Sequence, residues 1–191
     1  DAHHLALIGA GAQARSHLAA IREIREITAV TVYDLFPQAA ERFRKEMEAK
    51  YGVPVTVCGT VAEAVKDADI ICTVSPSKEP SLFASMVKPG THINAVGTFT
   101  PTTREVSSDL VAVSRLYSDQ TEATKRESGE YLIPLQEGLI KEDHIVGSIG
   151  ELLLGKVSGR TDDSQITMFD ALGLAIEDVA CAKYVYERAK H

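Results

Sequence analysis

Gly9, Gly11 and Ala14 fall at the spacing G-x-G-x-x-A in the run Gly9-Ala10-Gly11-Ala12-Gln13-Ala14, directly after the apolar residues Leu5 to Ile8. That spacing suits the pyrophosphate of a dinucleotide. Gly9 permits a tight turn out of a strand, Gly11 lets the backbone approach a phosphate with no Cβ between, and Ala14 lets a following helix pack close to the sheet. A helix starting at Ala12 presents the free N–H groups of Gly11, Ala12 and Gln13, and the positive end of its dipole, to the negative charge. Glycines at strand ends often serve turns alone, so the context decides. Here the second apolar run, Ala29-Val-Thr-Val-Tyr33, ends on Asp34, twenty positions past Ala14, where an acid accepts hydrogen bonds from the adenosine ribose hydroxyls. Asp34 repels a 2′-phosphate and is followed by Leu35 and Phe36 rather than Arg, so NAD is expected in preference to NADP.

The elements that must position these groups alternate in type. Strands are predicted over 4–9, 29–34, 54–57, 69–73 and 91–96, and helices over 12–26, 38–50 and 60–67, the last opened by a capping box of Thr60 and Glu63. Such alternation predicts a Rossmann fold: a doubly wound, mostly parallel sheet with right-handed crossovers, in three layers, α/β/α. In that fold the ends of the fourth and fifth strands lie over the ribose and nicotinamide. Thr73, Val74 and Ser75, with Val96, Gly97 and Thr98, are therefore the candidates for lining that half of the pocket. Thr73 and Ser75 equally suit a capped loop before Pro76. Past Gly97 the pattern gives a short helix over 107–112, a strand over 115–118 that adds an edge to the sheet, and a helix over 119–127. A polar loop over 155–164 leads to a last strand at 165–169 and a helix over 173–189, whose Leu174, Ile176, Val179, Ala180, Lys183 and Val185 are expected to pack on the sheet. The whole of 1–191 is read as one domain.

Composition narrows the function classes. A formal charge of -7 with no basic stripe speaks against a nucleic-acid surface. Apolar runs are strand-sized, which speaks against a membrane span, and no signal peptide is evident. Three scattered cysteines, Cys58, Cys72 and Cys181, form neither a disulfide framework nor a metal motif, and suit a reducing cytoplasm. The strand beginning almost at once after Asp1-Ala2-His3 suggests a fragment cut at a domain boundary.

Longer motifs join the glycine turn: Ile8 to Ala14 with His17 following, Lys88-Pro-Gly-Thr-His-Ile-Asn-Ala-Val-Gly97, Ser128-Gly-Glu130 before Ile133-Pro134, and Thr167 through Asp178. With these the chain resembles the ornithine cyclodeaminase and μ-crystallin family over nearly its full length. The resemblance implies NAD(H) or NADP(H) as cofactor, small amino or imino acids as substrates, and a homodimer once an N-terminal half is present. In the family that half supplies the dimer interface and the Lys and Arg groups for the substrate carboxylate. No counterpart precedes Asp1, so the chain alone is expected to lack the full active site. The cyclodeaminases carry an acid in a G-G-D-C-P-type loop, and Phe99 of Gly97-Thr98-Phe99-Thr100-Pro101 takes its place. Phe99 cannot shuttle a proton. Pro101 through Glu105 looks more like the μ-crystallin and cyclic-imine reductase members, so the parent reaction is expected to be hydride transfer to a C=N bond. The alternatives are a non-catalytic ligand-binding module of μ-crystallin type, ornithine cyclodeaminase proper, and a methyltransferase, against which Ala14 and the long resemblance argue.

No catalytic residue is assigned. Arg104 suits an acidic substrate or a surface pair with Glu105; His17 suits either the phosphates or a polar helix shoulder; Asn94 needs a hydrogen-bond partner; His92 reads as a packed core histidine and Cys72 as a small buried hydrophobe. Asp178 suits a lid over the cofactor or a solvated helix face, while His3, His4, His144 and His191 suggest neither a metal site nor a triad.

Overall fold

The computed structural model describes residues 1–190. Eight strands form one sheet in the order β3-β2-β1-β4-β5-β8-β6-β7, every pair parallel. They are β1 (His4–Ile8), β2 (Ala29–Tyr33), β3 (Val55–Val57), β4 (Ile70–Thr73), β5 (His92–Ala95), β6 (Arg115–Ser118), β7 (Ile145–Ser148) and β8 (Thr167–Asp170). The helices are α1 (Ala12–Arg22), α2 (Pro37–Tyr51), α3 (Val61–Val65), α4 (Ser108–Val113), α5 (Thr121–Glu127), α6 (Gly129–Gln136), α7 (Ile149–Leu153) and α8 (Ala175–Arg188). The doubly wound Rossmann reading of the sequence holds.

Strands covered on both faces bury consecutive residues, and β1 does so from Leu5 to Ile8. Leu5 and Leu7 join Val30, Val32, Ala14, Leu18 and Phe43 in one core, with α1 and α2; Ala6 and Ile8 join Ile71, Ile93, Leu110, Leu116 and Met168 in the other. Ile8 lies in register with Tyr33 on one side and Thr73 on the other, so the chain reverses its direction of strand addition at β1. That switch point opens the crevice in which such folds bind ligands.

The structure corrects the C-terminal half. β6 is no edge: the last strand, β8, inserts between β5 and β6, and β7 forms the edge. Neither β7 nor α6 and α7 is anticipated by the sequence pattern. α6 carries Pro134 inside it, a residue that ordinarily marks a helix boundary, and β7 is four residues with a glycine at Gly147. α1 ends at Arg22, short of the predicted 26, and α3 spans only 61–65, with Thr60 accepting the Glu63 N–H while the Glu63 carboxylate takes the N–H of Gly59 rather than of Thr60.

α8 is the larger correction. Of its expected packing residues Leu174 is half-buried just before the helix, while Ile176 at 68%, Val179 at 62% and Val185 at 65%, with Ala180 and Lys183, are exposed, and no α8 side chain is buried. A 3.6-residue stripe says that a helix has an apolar side and leaves open what covers it. Among the described residues no helix is long and apolar enough to cross a membrane.

Because α8 buries nothing, a chain ending at Leu174 should keep its melting temperature to within roughly 2–4 °C, equivalent to less than about 1 kcal/mol for a domain of this size. A larger fall in a thermal scan would mean that α8 packs on the sheet after all.

Candidate functional site

The glycine turn closes over the C-terminal end of β1. Gly9 has φ +107, and a Cβ there would lie 2.8 Å from the Val74 carbonyl oxygen, so both backbone angle and close approach require glycine. Gly11 is different. Its backbone is extended and nothing lies within 4 Å of where its Cβ would be, so the space above it is open. α1 starts there with no side-chain cap and no acid in its first turn, and Gly11, Ala12 and Gln13 are exposed while Ala14 is fully buried against the sheet. Uncapped N–H groups at the start of an eleven-residue helix, facing open space, form a receptacle for an anion.

Two side chains outside the glycine motif set the turn. Asp34 Oδ2 accepts the Ala10 N–H at 2.8 Å and Oδ1 accepts the Phe36 N–H at 2.9 Å, tying the end of β2 to the turn. Each carboxylate oxygen keeps a second lone pair for a hydroxyl. Arg15 donates to the carbonyls of Ala10 and Gly11 at 2.6 and 2.9 Å and pairs with Glu46 at 2.6 Å. The turn's carbonyls are thus occupied by a cation and its N–H face is left open. The sequence signalled Asp34 by position; it gave no separate signal for Arg15.

At the ends of β4 and β5 the predicted lining residues come together around an acid that the sequence reading placed on the surface. Glu105 is fully buried. Its Oε1 accepts both the N–H and the hydroxyl of Ser75 at 2.7 Å, and its Oε2 accepts the Gly97 N–H at 2.7 Å. Glu130, also buried, accepts the N–H groups of Glu105 and Val106 at 2.7 and 3.2 Å and the Thr98 hydroxyl at 3.2 Å. A Cβ on Gly97 would lie 2.1 Å from the Ser75 carbonyl oxygen, so no other residue fits there. Thr73 is fully buried beneath this cluster, Val74 and Thr98 are nearly so, and Ser75, Val96 and Gly97 remain half-buried at the crevice.

A third buried acid lies at the end of β8. Asp170 Oδ2 accepts the Ser128 hydroxyl at 2.6 Å, and its Oδ1 has no hydrogen-bond partner. Loss of water disfavours the charged form of all three acids. Burial and then the Asp170 charge push Glu130 up to about 8. Burial, with the Asp119 charge, pushes Asp170 up to about 7, against the Ser128 hydrogen bond. Burial raises Glu105 as well, opposed by its Ser75 hydrogen bonds.

Other candidates fall elsewhere. Asn94 donates to Cys72 Sγ at 3.6 Å and meets His92 Nε2 at 3.3 Å, and His92 Nδ1 lies 2.8 Å from Thr167 Oγ1. Cys72 is buried with its thiol pushed up to about 12, so it is no nucleophile. His17 bonds back to the Gln13 carbonyl; His3 and His144 bond to backbone carbonyls and His4 to Thr31, while His191 lies outside the described residues. Arg104 pairs with Glu137 at 3.4 Å and with Ser108, not with Glu105, which points into the interior. Phe99 is 68% exposed, and Asp178 is exposed on α8. A cleft of about 840 Å³ opens at the opposite, N-terminal end of the strands, lined by Arg25, Lys88, His92, Asn94 and Arg160 among others. No residue of the glycine turn lines it.

Comparisons with known proteins agree with this geometry. The model of the ornithine cyclodeaminase/mu-crystallin family matches residues 1–191. A Delta(1)-pyrroline-2-carboxylate reductase of Bacillus cereus is 36% identical over 190 residues, which are 99% of this chain and 58% of that protein. The solved Delta(1)-pyrroline-2-carboxylate reductase of Thermococcus litoralis, in complex with NADH and L-proline, superposes with a TM-score of 0.96 at 39% identity, covering 99% of this chain and 58% of that one. An archaeal alanine dehydrogenase dimer with bound NAD superposes with a TM-score of 0.92 at 35% identity, again over 99% and 58%. The chain thus spans somewhat over half the length of these relatives.

The raised acids give stability a definite pH dependence. Glu130 and Asp170 bind protons more tightly folded than unfolded, so their contribution is fully present below about pH 4 and is lost as pH rises through about 7 and 8. Asp69 acts oppositely: Lys88 and the N–H groups of His3 and His4 outweigh its partial burial and hold it at about 2, and its contribution disappears only in acid. Stability should therefore fall between about pH 5 and pH 8, by up to about 1.4 kcal/mol per pH unit for each group, and the melting temperature with it. Asp170→Asn, which keeps an acceptor for Ser128, should flatten that fall. A melting temperature that stays flat over the same range by calorimetry would show that these acids are already charged in the fold at about pH 5.

Proposed function

Because the chain belongs to the ornithine cyclodeaminase/mu-crystallin family, we propose that it is the NAD(H)-binding part of an oxidoreductase whose parent reaction transfers hydride to the C=N bond of a small cyclic imino acid. The observation that carries this reading is the open, uncapped start of α1 beside Asp34. The N–H groups of Gly11, Ala12 and Gln13 would take the pyrophosphate, with Gly9 and Ala14 shaping the turn, and the free lone pairs of Asp34 would take the adenosine ribose hydroxyls. Val74, Ser75, Val96, Gly97 and Thr98, over Thr73, would line the nicotinamide half. The cofactor supplies the hydride. The chain's own work is positioning: holding the ring so that a substrate carbon can sit roughly 3 to 3.5 Å away, with water kept out.

Phe99, exposed where the cyclodeaminases place an acid, favours imine reduction over cyclodeamination. It equally permits a non-catalytic module of μ-crystallin type. The groups that grip the substrate and the dimer contact are assigned to the part of the parent protein beyond this stretch, since the relatives run well past the matched region. We place the parent among homodimers of the cytoplasm.

Titration of the chain with reduced cofactors, followed by nicotinamide fluorescence, should give tighter binding of NADH than of NADPH. Replacing the Asp34 charge in Asp34→Asn should narrow the preference by about tenfold, some 1.4 kcal/mol, since the 2′-phosphate would no longer meet a fixed anion. Tighter binding of NADPH by the unaltered chain would refute the Asp34 assignment. In the parent protein, oxidation of NADH with pyrroline-2-carboxylate separates the reductase from the non-catalytic reading.

A further inference from the structure

We propose that Glu105 is a positioning residue for the nicotinamide half of the cofactor, a buried carboxylate that fixes the gap between the Val74–Ser75 and Val96–Gly97 backbones. The proposal rests on the reading of that crevice as the nicotinamide site.

The two backbones run on from neighbouring strands and stay close past the ends of β4 and β5, yet beyond Val96 N–H to the Thr73 carbonyl no ladder bond joins them. What joins them is Glu105, which reaches in from a segment outside the sheet. One oxygen takes both donors of Ser75 and the other takes the Gly97 N–H. The segment is itself anchored at two points. The Glu105 carbonyl accepts the N–H groups of Ser81 and Leu82, and its N–H is taken by Glu130, which also holds Thr98. Glu105 is completely buried, so no water stands in for it, and Gly97 passes so near that even a Cβ would strike both Ser75 and the carboxylate. An acid is the right group because both of its oxygens accept. An amide of the same size turns an N–H₂ toward a backbone N–H and leaves that buried donor unpaired. Every one of these contacts lies on the β4 and β5 side of the switch point; the glycine turn and Asp34 lie on the β1 and β2 side and are held by other groups.

That separation gives a test which a general loss of stability would fail. ADP-ribose carries the adenosine and pyrophosphate of NADH and lacks the nicotinamide ring. Glu105→Gln should weaken NADH binding by about tenfold or more, because the Gly97 backbone freed from the carboxylate no longer holds the gap that receives the ring, while ADP-ribose affinity stays within about twofold. Ser75→Ala, which removes one of the three bonds and disturbs folding least, should shift the same ratio in the same direction by a smaller factor, and carries the test if Glu105→Gln does not fold. Equal losses for both ligands in folded Glu105→Gln, or an unchanged ratio in both variants, would overturn the proposal and leave the nucleotide reading intact. Failure of the unaltered chain to bind ADP-ribose would overturn the nucleotide reading, and this proposal with it.

Discussion

Eight parallel strands end on the same edge of the sheet, and the peptide N–H groups of the loops that leave that edge must find acceptors without help from a neighbouring strand. In this chain carboxylates meet much of that demand. Asp34 takes Ala10 and Phe36, Glu105 takes Ser75 and Gly97, Glu130 takes Glu105 and Val106, and Asp119 takes Gln120 and Gly173. An acidic side chain suits the task because it offers two oxygens and, where it is ionised, no competing donor, so one side chain can join two loops. The cost is desolvation, visible in the upward displacement of Glu105, Glu130 and Asp170. Removing Glu105 or Glu130 therefore leaves buried or half-buried N–H groups of two loops unpaired together, which makes that part of the C-terminal edge a cooperative unit.

The distribution of these acids also divides the edge electrostatically. None caps the start of α1, where the helix dipole and the free N–H groups leave a positive receptacle. The fully buried acids gather under the ends of β4, β5 and β8. On the proposed reading the phosphates meet the first region and the nicotinamide, cationic in its oxidised form, meets the second. With Glu130 and Asp170 pushed up to about 8 and 7, that second region carries little negative charge near neutral pH, and the contrast between the two regions lies in the helix dipole and open N–H groups of the first.

The sequence made the first half of the fold legible because local and long-range signals coincide there. Apolar strands, glycines at a strand end and an acid closing the second strand all describe one βαβ unit, and Gly9, Gly11, Ala14 and Asp34 stand where that pattern placed them. From Gly97 onward the signals part company. β8 enters the middle of the sheet from the far end of the chain, and no periodicity reports which neighbours a strand chooses. α6 was hidden by Pro134 and α8 displayed a stripe without a partner. Glu105 was misplaced for a similar reason: beside Arg104 in a polar run it reads as a surface pair, whereas the Leu82 to Val106 bridge turns the two side chains in opposite directions. Burial of a charge is set by what it can accept from distant backbone, and that is a property of topology.

Asp34 shows how closely structure and specificity are bound at such an edge. Its position at the end of β2 would suffice to meet a ribose, yet in this chain it also supplies the acceptor that holds the Ala10 N–H and the turn above it. On the proposed reading, the anion that would discriminate against a 2′-phosphate is therefore immobilised by the turn that would receive the phosphates. It cannot swing aside to admit an added phosphate without releasing Ala10, and an unpaired N–H there would loosen the backbone that receives the pyrophosphate. On that reading discrimination by Asp34 would be steric and electrostatic together. Asp34→Asn, with one accepting oxygen, can narrow the preference, but a full exchange of cofactor would require a residue that accepts both backbone hydrogen bonds without carrying a charge.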